Sequence, residues 1–315
     1  MSGTLGEWAP YRLEYRDQWQ CRWFSRAGLR YDEPFFQETV LRCLGQPPNA
    51  HGRVSLSSLD FLDHAASLAN PVKPTAFIFH VSRCGSTLLA QLLGLDQHNI
   101  VLSEARLIDE LLGQAMKSGS RHDRAASMLQ SAIALLGNRR FGEERLFIKL
   151  DSWHVHHAGL LRRLYPDTPF ILLSRAPQDV LRSQRLRRGT HAVPGLLDPA
   201  LFDMQHEDVA TLDADDYLAR VLAYYYARLA ELARDGRNLL LDYDLGAQES
   251  MARLVRHLAM EIDAPMWARI DERCRFHSKR PEDGFSEMLS HEALPSCLKE
   301  AEAQYRRMVR RPANS

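Results

Sequence analysis

Through the middle of the chain, short unbroken runs of apolar residues alternate with stretches in which apolar residues return every three or four positions. The runs are Ala76 to His80, Asn99 to Leu102, Leu146 to Leu150, Phe170 to Ser174 and Leu239 to Asp242. Apolar content that is continuous rather than alternating predicts strands covered on both faces. Stretches with helical spacing lie between them: Ala105 to Met116, Arg124 to Leu136, His157 to Leu164 and Asp215 to Ala233. In the last, Leu218, Val221, Leu222, Tyr225, Leu229 and Leu232 form one apolar stripe. Strands separated by helices need crossover connections, so the predicted fold class is α/β, a mainly parallel sheet flanked by helices. No internal repeat or low-complexity segment interrupts the pattern.

The first 73 residues have a different texture. They hold Trp8, Trp19 and Trp23 with Tyr11, Tyr15, Phe24, Tyr31, Phe35 and Phe36, and they close on the turn-forming segments 46–49 and 70–74. The expected organisation is an aromatic-rich extension, 1–73, packed through its rings on a domain spanning 74–315. A wall of the substrate pocket is the sharper alternative for the same residues.

Composition narrows the class further. Forty Lys and Arg balance forty Asp and Glu, which argues against a non-specific nucleic-acid binder. A hydrophobic fraction of 45% and a charged fraction of 25% exclude disordered and fibrous classes. No run of about 18 apolar residues occurs, so no membrane span is expected. Met1 to Pro10 lacks the basic start and apolar stretch of a secretory signal, and the five cysteines (Cys21, Cys43, Cys84, Cys274, Cys297) show no zinc or disulfide spacing. The expectation is a cytoplasmic protein with no metal. His154, His156 and His157 cluster, but no second ligand group stands at a metal-site spacing from them. One imbalance stands out: of the forty basic residues only Lys73, Lys117, Lys149, Lys279 and Lys299 are lysine.

The most informative stretch is 77–89, where a buried strand runs through Ser82-Arg83-Cys84-Gly85-Ser86-Thr87 into a helix carrying Leu88, Leu89, Leu92 and Leu93. Backbone N–H groups at such a helix start have no partner within the helix, and the helix dipole adds positive potential. Gly85 permits close approach of an anion, and Ser86 and Thr87 offer hydroxyls, so the turn has the make-up of a phosphate cradle. The nucleoside triphosphatase form G-x-x-x-x-G-K-[ST] is not met: His80 stands at its first glycine and Ser86 at its lysine. An ordinary capped helix remains the alternative for this turn taken alone.

A second strand-to-helix passage changes the balance. Phe170 to Leu173 leads into Ser174-Arg175-Ala176-Pro177-Gln178-Asp179-Val180-Leu181-Arg182-Ser183. Pro177 suits the first turn of a helix, and Arg175 at a strand's carboxyl end is placed to bind a phosphate bidentately. Together the two passages resemble the sulfotransferases that use 3′-phosphoadenosine 5′-phosphosulfate (PAPS). Arg83 to Leu89 is similar to that family's 5′-phosphosulfate loop, [KR]-[SC]-G-[ST]-[ST]-x-L. Arg175, Pro177, Asp179 and Ser183 match its 3′-phosphate motif, R-x-P-x-D-x-x-x-S, about 90 residues later, and Leu239 to Leu245 looks like its strand ending in Y-[ED]-x-L. The resemblance covers roughly 74–245. It implies a P-loop-type domain in which Arg83, Cys84, Gly85, Ser86 and Thr87 hold the 5′-phosphosulfate, Arg175 and Ser183 hold the 3′-phosphate, and Tyr243 lies near the adenine.

Sulfuryl transfer needs a base for the acceptor's proton and cations where charge accumulates. Three bases are candidates, in the order Glu104, Asp151, His154. Glu104 lies in Ser103-Glu104-Ala105-Arg106, which resembles the E-x-R segment of tyrosyl-protein sulfotransferases. Asp151 follows Lys149 by two, where cytosolic sulfotransferases have K-x-H, and His154 comes next along the loop. Lys149 ends a strand, so its ammonium calls for an anion; with Arg83 it is expected to stabilise charge on the sulfuryl group and leaving oxygen. Lys279, in the basic segment 275–280, corresponds weakly to the loop that closes over the 3′-phosphate in family members. The function expected is transfer of a sulfuryl group from PAPS to a hydroxyl or amine of a small molecule or peptide. The competing functions are a P-loop kinase or other phosphotransferase, and a nucleotide-binding regulatory protein without chemistry.

Overall fold

A computed structural model describes residues 5–50, 54–116, 120–277, 280–284 and 295–310. Lys117 and Lys279 lie outside the described residues. The chain divides into two compact units: 1–77, 90–150 and 159–168 form one, and 78–89, 151–158 and 169–315 the other.

The first unit opens with a three-stranded sheet in the order β1-β2-β3, formed by β1 (Trp8–Tyr15), β2 (Trp19–Ser25) and β3 (Ser55–Ser58), with both pairings antiparallel. Pro10 can stand in β1 because the strand is at the edge and the ladder shifts register between Pro10 and Arg12. Helices α1 (Phe36–Leu44) and α2 (Asp60–Ser67) come from the same stretch of chain. The aromatic residues of this stretch pack against one another: Phe24 meets Tyr11 and Phe36 edge-on, with ring centroids 5.7 and 6.1 Å apart. The Leu13 N–H, on the outer edge of β1, donates to the Glu110 carboxylate, and Arg140 pairs with Glu7 at 3.0 Å.

The main sheet has five strands: β4 (Pro74–His80), β5 (Asn99–Ser103), β6 (Arg145–Lys149), β7 (Phe170–Ser174) and β8 (Leu239–Asp242), in the hydrogen-bonded order β5-β6-β4-β7-β8. β5 pairs in parallel with β6, Asn99 opposite Arg145 through Ser103 opposite Lys149, and β7 pairs in parallel with β8. Every residue of β5 and β7 is buried, which is why their apolar runs are unbroken. The architecture is α/β, as the apolar pattern predicts, and each of the five predicted strands is present within two residues of its expected ends.

Helices separate the strands. In the first unit they include α4 (Arg106–Ala115) and α5 (Ser120–Leu136), with Leu107, Ile108, Leu111 and Leu112 on the buried side of α4. α3 (Ser86–Gly94) and α6 (Ala158–Leu164) follow β4 and β6 along the chain. The second unit adds α7 (Pro177–Leu186), the short α8 (His206–Ala210), α9 (Ala214–Leu232), α10 (Gly246–His257), α11 (Ala264–Cys274) and α12 (Lys299–Val309). Asp213 caps α9, its carboxylate accepting the N–H groups of Asp215 and Asp216 at 2.8 Å. Leu218, Val221, Leu222, Tyr225 and Leu229 of the predicted stripe lie on the buried side of α9, joined by Tyr217 and Tyr226, while Leu232 at its end is half-buried. No helix among the described residues is long and apolar enough to cross a membrane.

Gly137, just past α5, allows a close backbone approach. A Cβ there would lie 2.6 Å from Leu146 Cδ2 and 3.2 Å from the Val72 carbonyl, and Val72 N–H donates to the Gly137 carbonyl at 2.9 Å. Gly137→Ala is expected to cost about 1–3 kcal/mol of stability through overpacking. Urea unfolding checks this: a lowered midpoint with unchanged slope is expected, and an unchanged midpoint would show that the neighbours yield.

Candidate functional site

Leaving β4, the chain turns sharply. Ser82, Arg83 and Gly85 have left-handed backbones, with φ of +70°, +51° and +79°. α3 begins directly after them, with Leu89 N–H donating to the Gly85 carbonyl at 3.0 Å. Ser86 and Thr87 are buried in the first turn. At Gly85 a side chain would be strained by φ and would meet the Tyr243 ring, 3.3 Å from an added Cβ. The local sequence therefore yields a tight, left-handed turn that opens directly into a helix.

The second strand end is tied to this turn. Val81 N–H donates to the Leu173 carbonyl at 3.2 Å, aligning the ends of β4 and β7. Arg175, one residue past β7, donates from Nη1 to the Arg83 carbonyl at 3.0 Å and lays its guanidinium over the Tyr243 ring at 4.1 Å. Tyr226 on α9 donates to the Arg175 carbonyl at 2.6 Å; burial raises that phenol's pKa well above its ordinary value, so it stays the donor. Ser174 Oγ donates to Asp242 at 2.6 Å, joining the ends of β7 and β8 just before Tyr243. The Arg83 guanidinium donates to the Arg187 carbonyl at the carboxyl end of α7, where a cation is favoured. Arg83, Gly85, Arg175 and Tyr243 thus form one cluster, with Cys84, Ser86 and Thr87 in the same turn. Ser183 lies half-buried on α7, eight residues after Arg175.

Two residues that the sequence pattern does not single out belong to this cluster. Gln184, fully buried on α7, donates to Ser82 Oγ at 3.0 Å and lies 3.3 Å from His191 Nε2. The available signal is that Gln184 follows Val180 and Leu181 by four and three residues, a polar group on the helix's apolar side.

Lys149 and Glu104, in the other unit, form a pair. The Lys149 side chain is 0% exposed and its ammonium bonds the Glu104 carboxylate, which keeps 26% exposure. Glu104 is left-handed at φ +55°, and its N–H donates to the Lys149 carbonyl at 2.8 Å, continuing the β5–β6 ladder by one bond. The Phe35 ring stands 5.3 Å from Nζ. The anion that a strand-end lysine requires is thus a carboxylate of the same chain.

Asp151 and His154 stand at the start of the 3₁₀ helix Ser152–His157. His154 N–H donates to the Asp151 carbonyl at 3.0 Å, and His154 Nδ1 accepts the Asp151 N–H at 3.2 Å. A neutral imidazole has one acceptor nitrogen, so this bond puts the ring hydrogen on Nε2. The His154 side chain is 2% exposed.

No protein-family model and no curated protein matches the chain. Solved structures similar to it include a sulfotransferase from Alicyclobacillus acidocaldarius, 15% identical over 65% of this chain and 95% of that one, with a TM-score of 0.40. Sulfotransferase STF1 from Mycobacterium tuberculosis is 13% identical over 78% and 81%, with a TM-score of 0.44. Retinol dehydratase in complex with androsterone and the inactive cofactor PAP is 18% identical over 70% and 72%, with a TM-score of 0.31.

His191 supplies a test of the cluster's electrostatics. Burial, and then the neighbouring Arg83 charge, push its pKa down to about 4 from 6.5. Between those values the unfolded chain binds a proton that the folded chain refuses. This group's contribution is therefore in place above pH 6.5 and is lost as pH falls through about 4. Urea unfolding of wild type and His191→Gln at several pH values should give a wild-type stability that drops more steeply across that window. Parallel pH curves would count against a buried neutral imidazole.

Proposed function

We propose that this protein is a PAPS-dependent sulfotransferase acting on a hydroxyl or amine of a small molecule or peptide, in a reducing, cytoplasmic setting. The observation that carries this reading is the joining of two strand-to-helix turns, with Arg175 donating to the carbonyl of Arg83 while it covers Tyr243. The donor set suits a nucleotide with two separate anionic ends. N–H groups and hydroxyls of Arg83 to Thr87 bind the 5′-phosphosulfate, Arg175 and Ser183 bind the 3′-phosphate, and Tyr243 lies beside the adenine. In that reading residues 74–315 carry the chemistry and residues 1–73 are an extension packed on them. The donor supplies an already activated sulfuryl group. The protein is left to bind, to orient and to move one proton.

Glu104 is the base this reading prefers. Its carboxylate keeps 26% exposure, against 15% for Asp151 and 2% for His154. The acceptor nitrogen of His154 is also engaged by the Asp151 N–H. Lys149 holds the Glu104 carboxylate in one place, and in this reading Lys149 and Arg83 are the cations that answer charge on the sulfuryl group and leaving oxygen.

Thermal-shift titration separates this function from a kinase: adenosine 3′,5′-bisphosphate should stabilise the chain more than ATP or ADP. Preferential stabilisation by ATP or ADP would sink the reading. With labelled PAPS and an acceptor panel, Glu104→Gln should lower turnover by ~10²–10⁴ while bisphosphate binding persists. Near wild-type turnover in that variant would remove Glu104 as base.

A further inference from the structure

The turn that carries Arg83 to Thr87 begins with two residues that are not glycine, yet both are left-handed, Ser82 at +70° and Arg83 at +51°. Such a backbone costs roughly 1–2 kcal/mol per L-residue and persists only where its surroundings over-determine it. Three hydrogen bonds do so here. Ser82 N–H donates to His80 Nδ1 at 3.0 Å, Ser82 Oγ accepts from Gln184 Nε2 at 3.0 Å, and the Arg83 carbonyl accepts from Arg175 Nη1 at 3.0 Å. The first is local. The third comes from an arginine that a bound phosphate would also engage. The Gln184 bond alone comes from a neutral, fully buried side chain set on a helix.

The orientation of that side chain is fixed. Gln184 Oε1 accepts the Gly189 N–H at 2.8 Å, so its carbonyl end is committed. Nε2 then has two hydrogens to place, and its two neighbours are Ser82 Oγ and, at 3.3 Å, His191 Nε2. His191, itself buried, takes one as an acceptor, which puts its ring hydrogen on Nδ1. Flipping the amide would set Nε2 against the Gly189 N–H, donor against donor. If the Ser82 hydroxyl turned its hydrogen to Oε1, the Gly189 N–H would still be lost. A residue of similar volume without the amide would fill the same space and leave Ser82 Oγ and Gly189 N–H, both on half-buried residues, without these partners.

We propose that Gln184 is a positioning residue for the anion-binding turn: its buried amide holds Ser82, and through it the left-handed Ser82–Arg83 backbone, so that the N–H groups of the turn converge on one anion. Only the identity of that anion as a 5′-phosphosulfate rests on the sulfotransferase reading. Gln184 is next on α7 to Ser183, which that reading assigns to the 3′ subsite.

The test uses the full chain, with pyrophosphate as a probe of the turn and adenosine 3′-monophosphate as a probe of the Arg175–Ser183 element, both by calorimetry. Gln184→Glu keeps shape but loses the donors; Gln184→Met keeps volume alone. Both should weaken pyrophosphate about tenfold, the size expected for a lost hydrogen bond, while 3′-monophosphate binding shifts less than about threefold. Ser82→Ala breaks the same bond from the other side and covers the case in which a Gln184 variant fails to fold. Added to Gln184→Met, it should weaken pyrophosphate by far less than it does alone. A purely structural role would move both ligands together with the melting temperature. That pattern, equal pyrophosphate affinities in wild type and variants, or no pyrophosphate binding by wild type would each overturn the inference. Wild type that binds pyrophosphate but not adenosine 3′,5′-bisphosphate would instead sink the sulfotransferase reading and leave the positioning role standing.

Discussion

A strand buried on both faces has to leave the sheet through a turn too short to relax, and β4 meets that constraint with left-handed residues at 82, 83 and 85. Most of what is unusual around it answers to that turn. Arg175 sits where it can hold the Arg83 carbonyl, Tyr243 lies against Gly85, and Tyr226 braces the Arg175 backbone from α9. Strain and support are inseparable here: the left-handed conformation at 82 and 83 is one that an isolated peptide would abandon.

The Lys149–Glu104 pair is the second fixed point, and it follows a different logic. A lysine wholly removed from water needs a partner, and partial exposure of the carboxylate keeps the pair from being sealed. Glu104 reaches it because its own backbone turns left-handed immediately after β5, while its N–H still pairs with the Lys149 carbonyl. Geometry, charge and ladder are set by two residues at adjacent strand ends. Removing either side chain leaves the other in surroundings made for a pair.

The parts of this molecule that were legible in its sequence share a cause. Strands β4 to β7 stand out because burial on both faces strips polar residues from most of their length, and α9 stands out because one face alone is buried. The antiparallel strands near the amino end are hidden by their chemistry: Pro10 interrupts β1, and β3 reads Ser-Leu-Ser-Ser. Their order depends on cross-strand partners such as Trp23 with Ser57, whose Oγ accepts the indole N–H at 2.8 Å. The turn at 82–87 was visible because its residues are contiguous. Gln184 was not, because its partner Ser82 lies 102 positions away, and a buried amide looks like an error until that partner is known. Lys149 announced a need for an anion without naming Glu104.

The scarcity of lysine takes on a practical meaning once burial is known. Among the described residues, primary amines on side chains occur at Lys73, Lys149 and Lys299, and only the first and last are exposed. Reagents that acylate or cross-link amines would therefore find few handles on a surface whose positive charge is almost wholly guanidinium. That charge persists at alkaline pH, where ammonium groups titrate. The chain's balance of forty against forty is thus held by groups that neither ordinary pH changes nor amine chemistry readily remove.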